Sequence, residues 1–104
     1  MIVAPSTDVA KALRRAAGPD AQVVAMPISS EEALQTLASS RADVIVVSSD
    51  LEGARDLVSR VPADSAVVWV GTNAPEQAHA SIDEVSDALE GAITRGLLAA
   101  RAAK

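Results

Sequence analysis

Four consecutive β-branched apolar residues, Val44-Ile45-Val46-Val47, stand between polar flanks in the stretch Asp43 to Asp50. The run is too short for an independent helix and too uniformly apolar for a strand with one wet face. It predicts a central parallel strand buried on both sides. The run passes directly into Ser48-Ser49-Asp50, where the backbone must leave the sheet, and in open α/β sheets that edge is where ligands sit. Ala66 to Val70 is again continuously apolar and predicts a second strand of this kind. Met1 to Ala4, ended by Pro5, and Ala21 to Met26, closed by Pro27, predict two more, because proline cannot donate to a ladder.

Between these runs the apolar spacing becomes helical. Ser6 or Thr7 caps a first helix with Val9, Ala10, Leu13 and Ala17 inward and Lys11, Arg14 and Arg15 outward, and Gly18-Pro19-Asp20 stops it. Ser29-x-x-Glu32 is a capping box, in which hydroxyl and carboxylate satisfy each other's backbone donors; the helix it opens has Ala33, Leu34, Leu37 and Ala38 as its buried stripe. Ser49-x-x-Glu52 repeats the spacing and predicts a third helix with Ala54, Leu57, Val58 and Val61 inward. Gly53 inside it costs about 1 kcal/mol relative to Ala. Ser81-x-x-Glu84 opens a long last helix whose stripe is Ile82, Val85, Leu89, Ile93, Leu97 and Ala100. Gly91 and Gly96 mark either close packing or weak points within it. Residues 76–80 read as a broken turn or a stub of a fifth strand.

Four strands, each followed by a helix across a short connection, predict one α/β domain over residues 1–104. The expected architecture is a three-layer sandwich around a four-stranded parallel sheet of order 2-1-3-4. A chain of 104 residues has room for one hydrophobic core. Aromatic residues make up 1%, with Trp69 alone, so the core must be built from Val, Ile, Leu and Ala.

The absence of cysteine removes disulfides, thiolate catalysis and Cys-type zinc sites. The single histidine, His79, rules out a multi-His metal centre and reads as an exposed loop residue. A net charge of −5 argues against nucleic acid as a partner, and Arg14-Arg15, the only adjacent basic pair, reads as a solvated helix face. No apolar run approaches the roughly 18 residues needed to span a membrane. The N-terminal residues lack the basic and apolar regions of a signal peptide. The expectation is a soluble, cytoplasmic protein with no membrane partner.

The alternation of elements and the segment Arg41-Ala42-Asp43-Val44-Ile45-Val46-Val47 resemble a response-regulator receiver domain of the CheY-like, flavodoxin-like class. In that family an acceptor aspartate ends the third strand, and here the position falls on Ser48. The acidic pair that holds Mg²⁺ would fall near Pro5 and Ser6, the switch hydroxyl at Gly71 or Thr72, and the family's lysine has no counterpart. A phosphoaspartate site needs carboxylates for the cation and a lysine for the phosphoryl charge. The stretch between the fourth strand and the last helix is also too short for the usual α4 and β5. The resemblance therefore implies a shortened, degenerate pseudo-receiver that docks proteins without conventional phosphotransfer. The Met26-Pro27-Ile28-Ser29 turn and the chain's size are also similar to the IIB component of certain sugar phosphotransferase systems. That family phosphorylates a cysteine absent here.

The expected function is a non-enzymatic regulatory or adaptor module acting by protein–protein interaction, with a second copy of the chain as one candidate partner and no cofactor or metal. Trp69, Ile93 and Leu98 are the candidate interface residues, on the last helix and on the flank of the fourth strand. Trp69 reads either as core under a helix or, on an edge strand, as an interface anchor. The alternative is a small-ligand or phosphoryl-binding site at the carboxyl edge of the sheet, built from Ser6, Thr7, Ser48, Ser49, Asp50, Thr72 and Asn73. Asp8 and Asp50 read first as residues favouring helix N-termini through the macrodipole. Gly71-Thr72-Asn73 suggests a phosphate cradle but lacks the Walker and dinucleotide glycine patterns and reads first as a turn.

Overall fold

The computed structural model describes residues 1–18, 25–39, 42–61, 65–84 and 88–102. It has four parallel strands and four helices: β1 (Ile2–Val3), α1 (Thr7–Ala17), α2 (Ser30–Ser39), β2 (Val44–Ser48), α3 (Ala54–Arg60), β3 (Ala66–Val70), β4 (Ala80–Ile82) and α4 (Ala88–Ala102). The paired strands lie in the order β1-β2-β3-β4. The longest register joins β2 to β3, from Val44 opposite Ala66 to Ser48 opposite Val70. Ile2 and Val3 pair with Val46 and Val47, while Ala80 to Ile82 pair with Val68 to Val70.

Both faces of the sheet are apolar, as continuous β-branched runs require. Ile2, Val46, Val68 and Val70 pack with Ala10 and Leu13 of α1 and with Leu89 and Ala92 of α4. Val3, Ile45, Val47, Val67 and Trp69 pack with Ala33 of α2 and with Ala54, Leu57 and Val58 of α3. Leu13, Ile45, Leu57 and Leu89 are fully buried, and each such side chain contributes about 1.5–3 kcal/mol relative to exposure. At the amino end of the sheet, the buried Ser65 hydroxyl donates to the Ala42 carbonyl at 2.7 Å and Ala66 N–H to Asp43 O at 2.8 Å. The Met1 amine donates to Val44 O at 2.8 Å, and burial pushes it below its ordinary value near 8.0, with nearby Asp43 opposing the shift.

Ser6 is the cap of α1, accepting from Val9 N–H at 3.4 Å, and Arg14 and Arg15 are exposed as expected. The Ser29 hydroxyl caps α2 by accepting from Glu32 N–H at 3.1 Å. The reciprocal bond from Glu32 lands on Ile28 N–H rather than on Ser29. Ala38, expected inward, is exposed; Ala33 is buried and Leu34 and Leu37 are half-buried.

Two expectations need correction, and the open reading of residues 76–80 resolves into a turn and the start of a strand. The third helix begins at Ala54, not Ser49, because residues 49–53 form turns and Gly53 has φ +75, a left-handed conformation that a right-handed helix cannot pass through. Ser81 does not cap a helix: it lies in β4, opposite Trp69, and Ile82 is buried under α4. Residues 76 and 77 are a turn leading to that strand, so the flank of β3 is covered rather than open. The predicted strand over Ala21 to Met26 falls largely outside the described residues, although Ile2 and Ala4 donate to the carbonyls of Ala25 and Pro27.

The two glycines of α4 differ. A Cβ on Gly96 would lie 3.2 Å from Val68 Cγ2 and 3.7 Å from Ala80 Cβ, so this helix rests directly on the sheet there. Gly91 is exposed and meets only the end of Arg95. Gly91→Ala is expected to raise stability by about 0.5–1 kcal/mol through helix propensity, and Gly96→Val to lower it by about 1–3 kcal/mol through overpacking. Urea midpoints of the two variants check the contrast.

Candidate functional site at the carboxyl edge of the sheet

All four strands end on the same side, and the loops that leave them enclose an open cleft of about 520 Å³. Its lining comes from Asp8, Val9 and Ala12 of α1, Ser48, Ser49 and Asp50 after β2, Val70, Gly71 and Thr72 after β3, and Asp83 and Glu84 after β4. A second cleft of about 390 Å³ adjoins it and shares Ser49 and Thr72, with Arg55, Trp69 and Asn73 on its far side.

Of the residues expected to bind a ligand, Ser48, Ser49, Asp50 and Thr72 are therefore brought together. Asn73 belongs to the second cleft, while Ser6 and Thr7 line neither. Ser6 spends its hydroxyl on the α1 cap. Ser48, the last residue of β2, is 4% exposed, and its hydroxyl accepts from Asp50 N–H at 3.3 Å. It forms part of the cleft floor rather than an accessible nucleophile.

Three backbone amides of this edge are bonded within the protein. Ser49 N–H donates to Val70 O at 2.8 Å, Gly71 N–H to Ile82 O at 2.8 Å, and Leu51 N–H to Ser48 O at 3.1 Å. An anion cradle needs amides that point outward without partners. The charged side chains of the cleft are the exposed carboxylates of Asp8, Asp50, Asp83 and Glu84. No Lys or Arg stands among its described lining residues. Phosphate would meet repulsion here, and an ammonium or guanidinium group attraction. Among the described residues, no three His, Asp or Glu side chains converge as metal ligands would.

Of the two readings of Trp69, core under a helix holds, because β3 lies between β2 and β4 and is not an edge strand. Trp69 is 3% exposed, its Nε1 donates to Thr72 O at 3.1 Å, and the Arg55 guanidinium lies 5.8 Å from its ring centroid. Arg55 also donates to the carbonyl of Asn73, which has φ +56. Indole and guanidinium together hold the loop after β3 against α3. His79 is likewise not an exposed loop residue. It is half-buried at the amino end of β4, away from the cleft, and its Nδ1 accepts from Val67 N–H at 2.9 Å. The cleft residues missed by sequence reasoning are Asp83 and Glu84, hidden because Ser81-x-x-Glu84 matches a helix cap. The alternation of Ala80-Ser81-Ile82 was the available signal for a strand.

Gly71 governs this edge sterically. Its φ is +140, and a Cβ there would fall 1.9 Å from Ser49 Oγ and 2.3 Å from Ser49 Cβ. Gly71→Ala is expected to cost about 1–3 kcal/mol, from backbone strain and overlap together. Pairing it with Ser49→Gly removes the overlap but not the strain, so the double variant recovers part of the loss in thermal unfolding.

Compared with family models, with curated proteins and with solved structures, the chain matches none.

Proposed function

We propose that this chain is a non-enzymatic regulatory or adaptor module that acts by protein–protein interaction, without aspartyl phosphorylation, and that the carboxyl edge of its sheet receives a basic segment of the partner. The same proposal takes the architecture to be a shortened, receiver-like three-layer sandwich in which the segment before Pro27 completes the order 2-1-3-4, with a cytoplasmic setting. One observation carries the reading: the lining of the cleft holds four exposed carboxylates and no Lys or Arg among its described residues, and the amides of Ser49, Leu51 and Gly71 are bonded within the protein. An open acceptor-rich surface of this kind favours Lys or Arg side chains over a phosphoryl group. The alternative of a phosphoryl or small anionic ligand is disfavoured by the same geometry.

Lysine-rich and glutamate-rich peptides of equal length, titrated at low salt and followed by calorimetry, test the reading. Binding of the lysine-rich peptide alone is expected, weakening about tenfold or more in Asp83→Lys/Glu84→Lys and with added salt. Equal binding of both peptides, or binding unchanged by the charge reversal, contradicts it.

Self-association is a second reading, favoured by Leu98. This side chain is 60% exposed on α4 and off the line of buried Leu89, Ala92, Gly96 and Ala100. A dimer formed there is expected to become monomeric on Leu98→Asp with unchanged stability, as read by light scattering.

A further inference from the structure

In a parallel ladder each strand residue exchanges bonds with residues on either side of its partner's position. His79 N–H donates to Val67 O at 2.8 Å, which begins the pairing of β4. In a longer strand, Val67 N–H would be taken by a carbonyl two residues upstream of His79, but residues 76 and 77 form a turn. The His79 imidazole supplies the missing acceptor, with Nδ1 at 2.9 Å from Val67 N.

We propose that His79 is a pH-sensitive latch that holds β4 to β3 and thereby positions the Asp83–Glu84 rim of the cleft. The bond requires an unprotonated Nδ1, so the neutral ring carries its proton on Nε2. When the ring gains a second proton, Nδ1 becomes a donor facing a donor, and Val67 N–H loses its partner. Imidazole is the side chain that ordinarily changes charge between about pH 5 and 8. The stabilising bond is present while the ring is neutral and is lost once Nδ1 is protonated. Charged groups on the neighbouring elements are Glu76 in the preceding turn, Asp83 and Glu84 beyond β4, Arg95 on α4 and Asp43 before β2; none forms an ion pair with His79 among the described residues. The switch thus rests on one hydrogen bond. A three-residue edge strand has few others to compensate.

The test follows amide exchange and imidazole nitrogen shifts by NMR on the whole chain, from about pH 8 to about pH 5. The neutral wild-type ring is expected to be the Nε2–H tautomer. The protection factor of Val67 N–H, corrected for intrinsic exchange, is expected to fall about tenfold or more as the ring titrates, with Ser81 and Gly71 following. In His79→Asn, whose side-chain oxygen accepts but does not titrate, that pH dependence disappears. An Nδ1–H tautomer, or a Val67 amide equally protected on both sides of the titration, overturns the proposal in the wild-type protein alone. Identical pH dependence in the Asn variant also overturns it.

Discussion

The pairing of β2 with β3 is the interaction on which the rest of the structure depends. Five residue pairs, from Val44 opposite Ala66 to Ser48 opposite Val70, are buried along nearly their whole length. Because side chains alternate, this register sends Val46, Val68 and Val70 into the cluster with residues of α1 and α4, and Val47, Val67 and Trp69 into the cluster with residues of α2 and α3. A slip of one residue would exchange the two sets and place Trp69 against α4, where Gly96 has no space for it.

The same register decides what the carboxyl edge can do. Ser48 ends β2 opposite Val70, which draws Ser49 N–H onto the Val70 carbonyl and leaves only a glycine able to follow Val70. The amides of Ser49 and Gly71 are spent on holding three strands together. What faces outward is the acidic remainder. Stability and ligand preference therefore share a cause at this edge.

The central strands and α1 were legible because their patterns admit few alternatives: a run such as Val44 to Val47 has no wet face to offer. At Ser29 the hydroxyl half of the capping box forms and opens α2, while the Glu32 carboxylate accepts from Ile28 N–H instead. The boxes at Ser49 and Ser81 have the same spacing and fail for physical reasons outside their own sequence. At Ser49, buried Leu51 and left-handed Gly53 impose turns before the helix can begin. At Ser81, the unpaired edge of β3 captures a three-residue segment whose local propensity is weak. That capture also explains the candidate site. Ser48, Ser49, Asp50 and Thr72 follow strands recognised from sequence, whereas Asp83 and Glu84 follow one that was hidden. His79 was misread because its role, replacing a backbone carbonyl, leaves no periodicity.

The bonded amides of Ser49 and Gly71 and the carboxylates around them favour a cation over an anion in the cleft. Amide chemical-shift mapping with inorganic phosphate and, separately, with a short oligolysine tests it on the unmodified chain. The account predicts perturbations at Asp8, Asp50, Thr72, Asp83 and Glu84 with oligolysine and none at Ser49 or Gly71 with phosphate. Saturable phosphate shifts at Ser49 and Gly71, with no response to oligolysine, would contradict it.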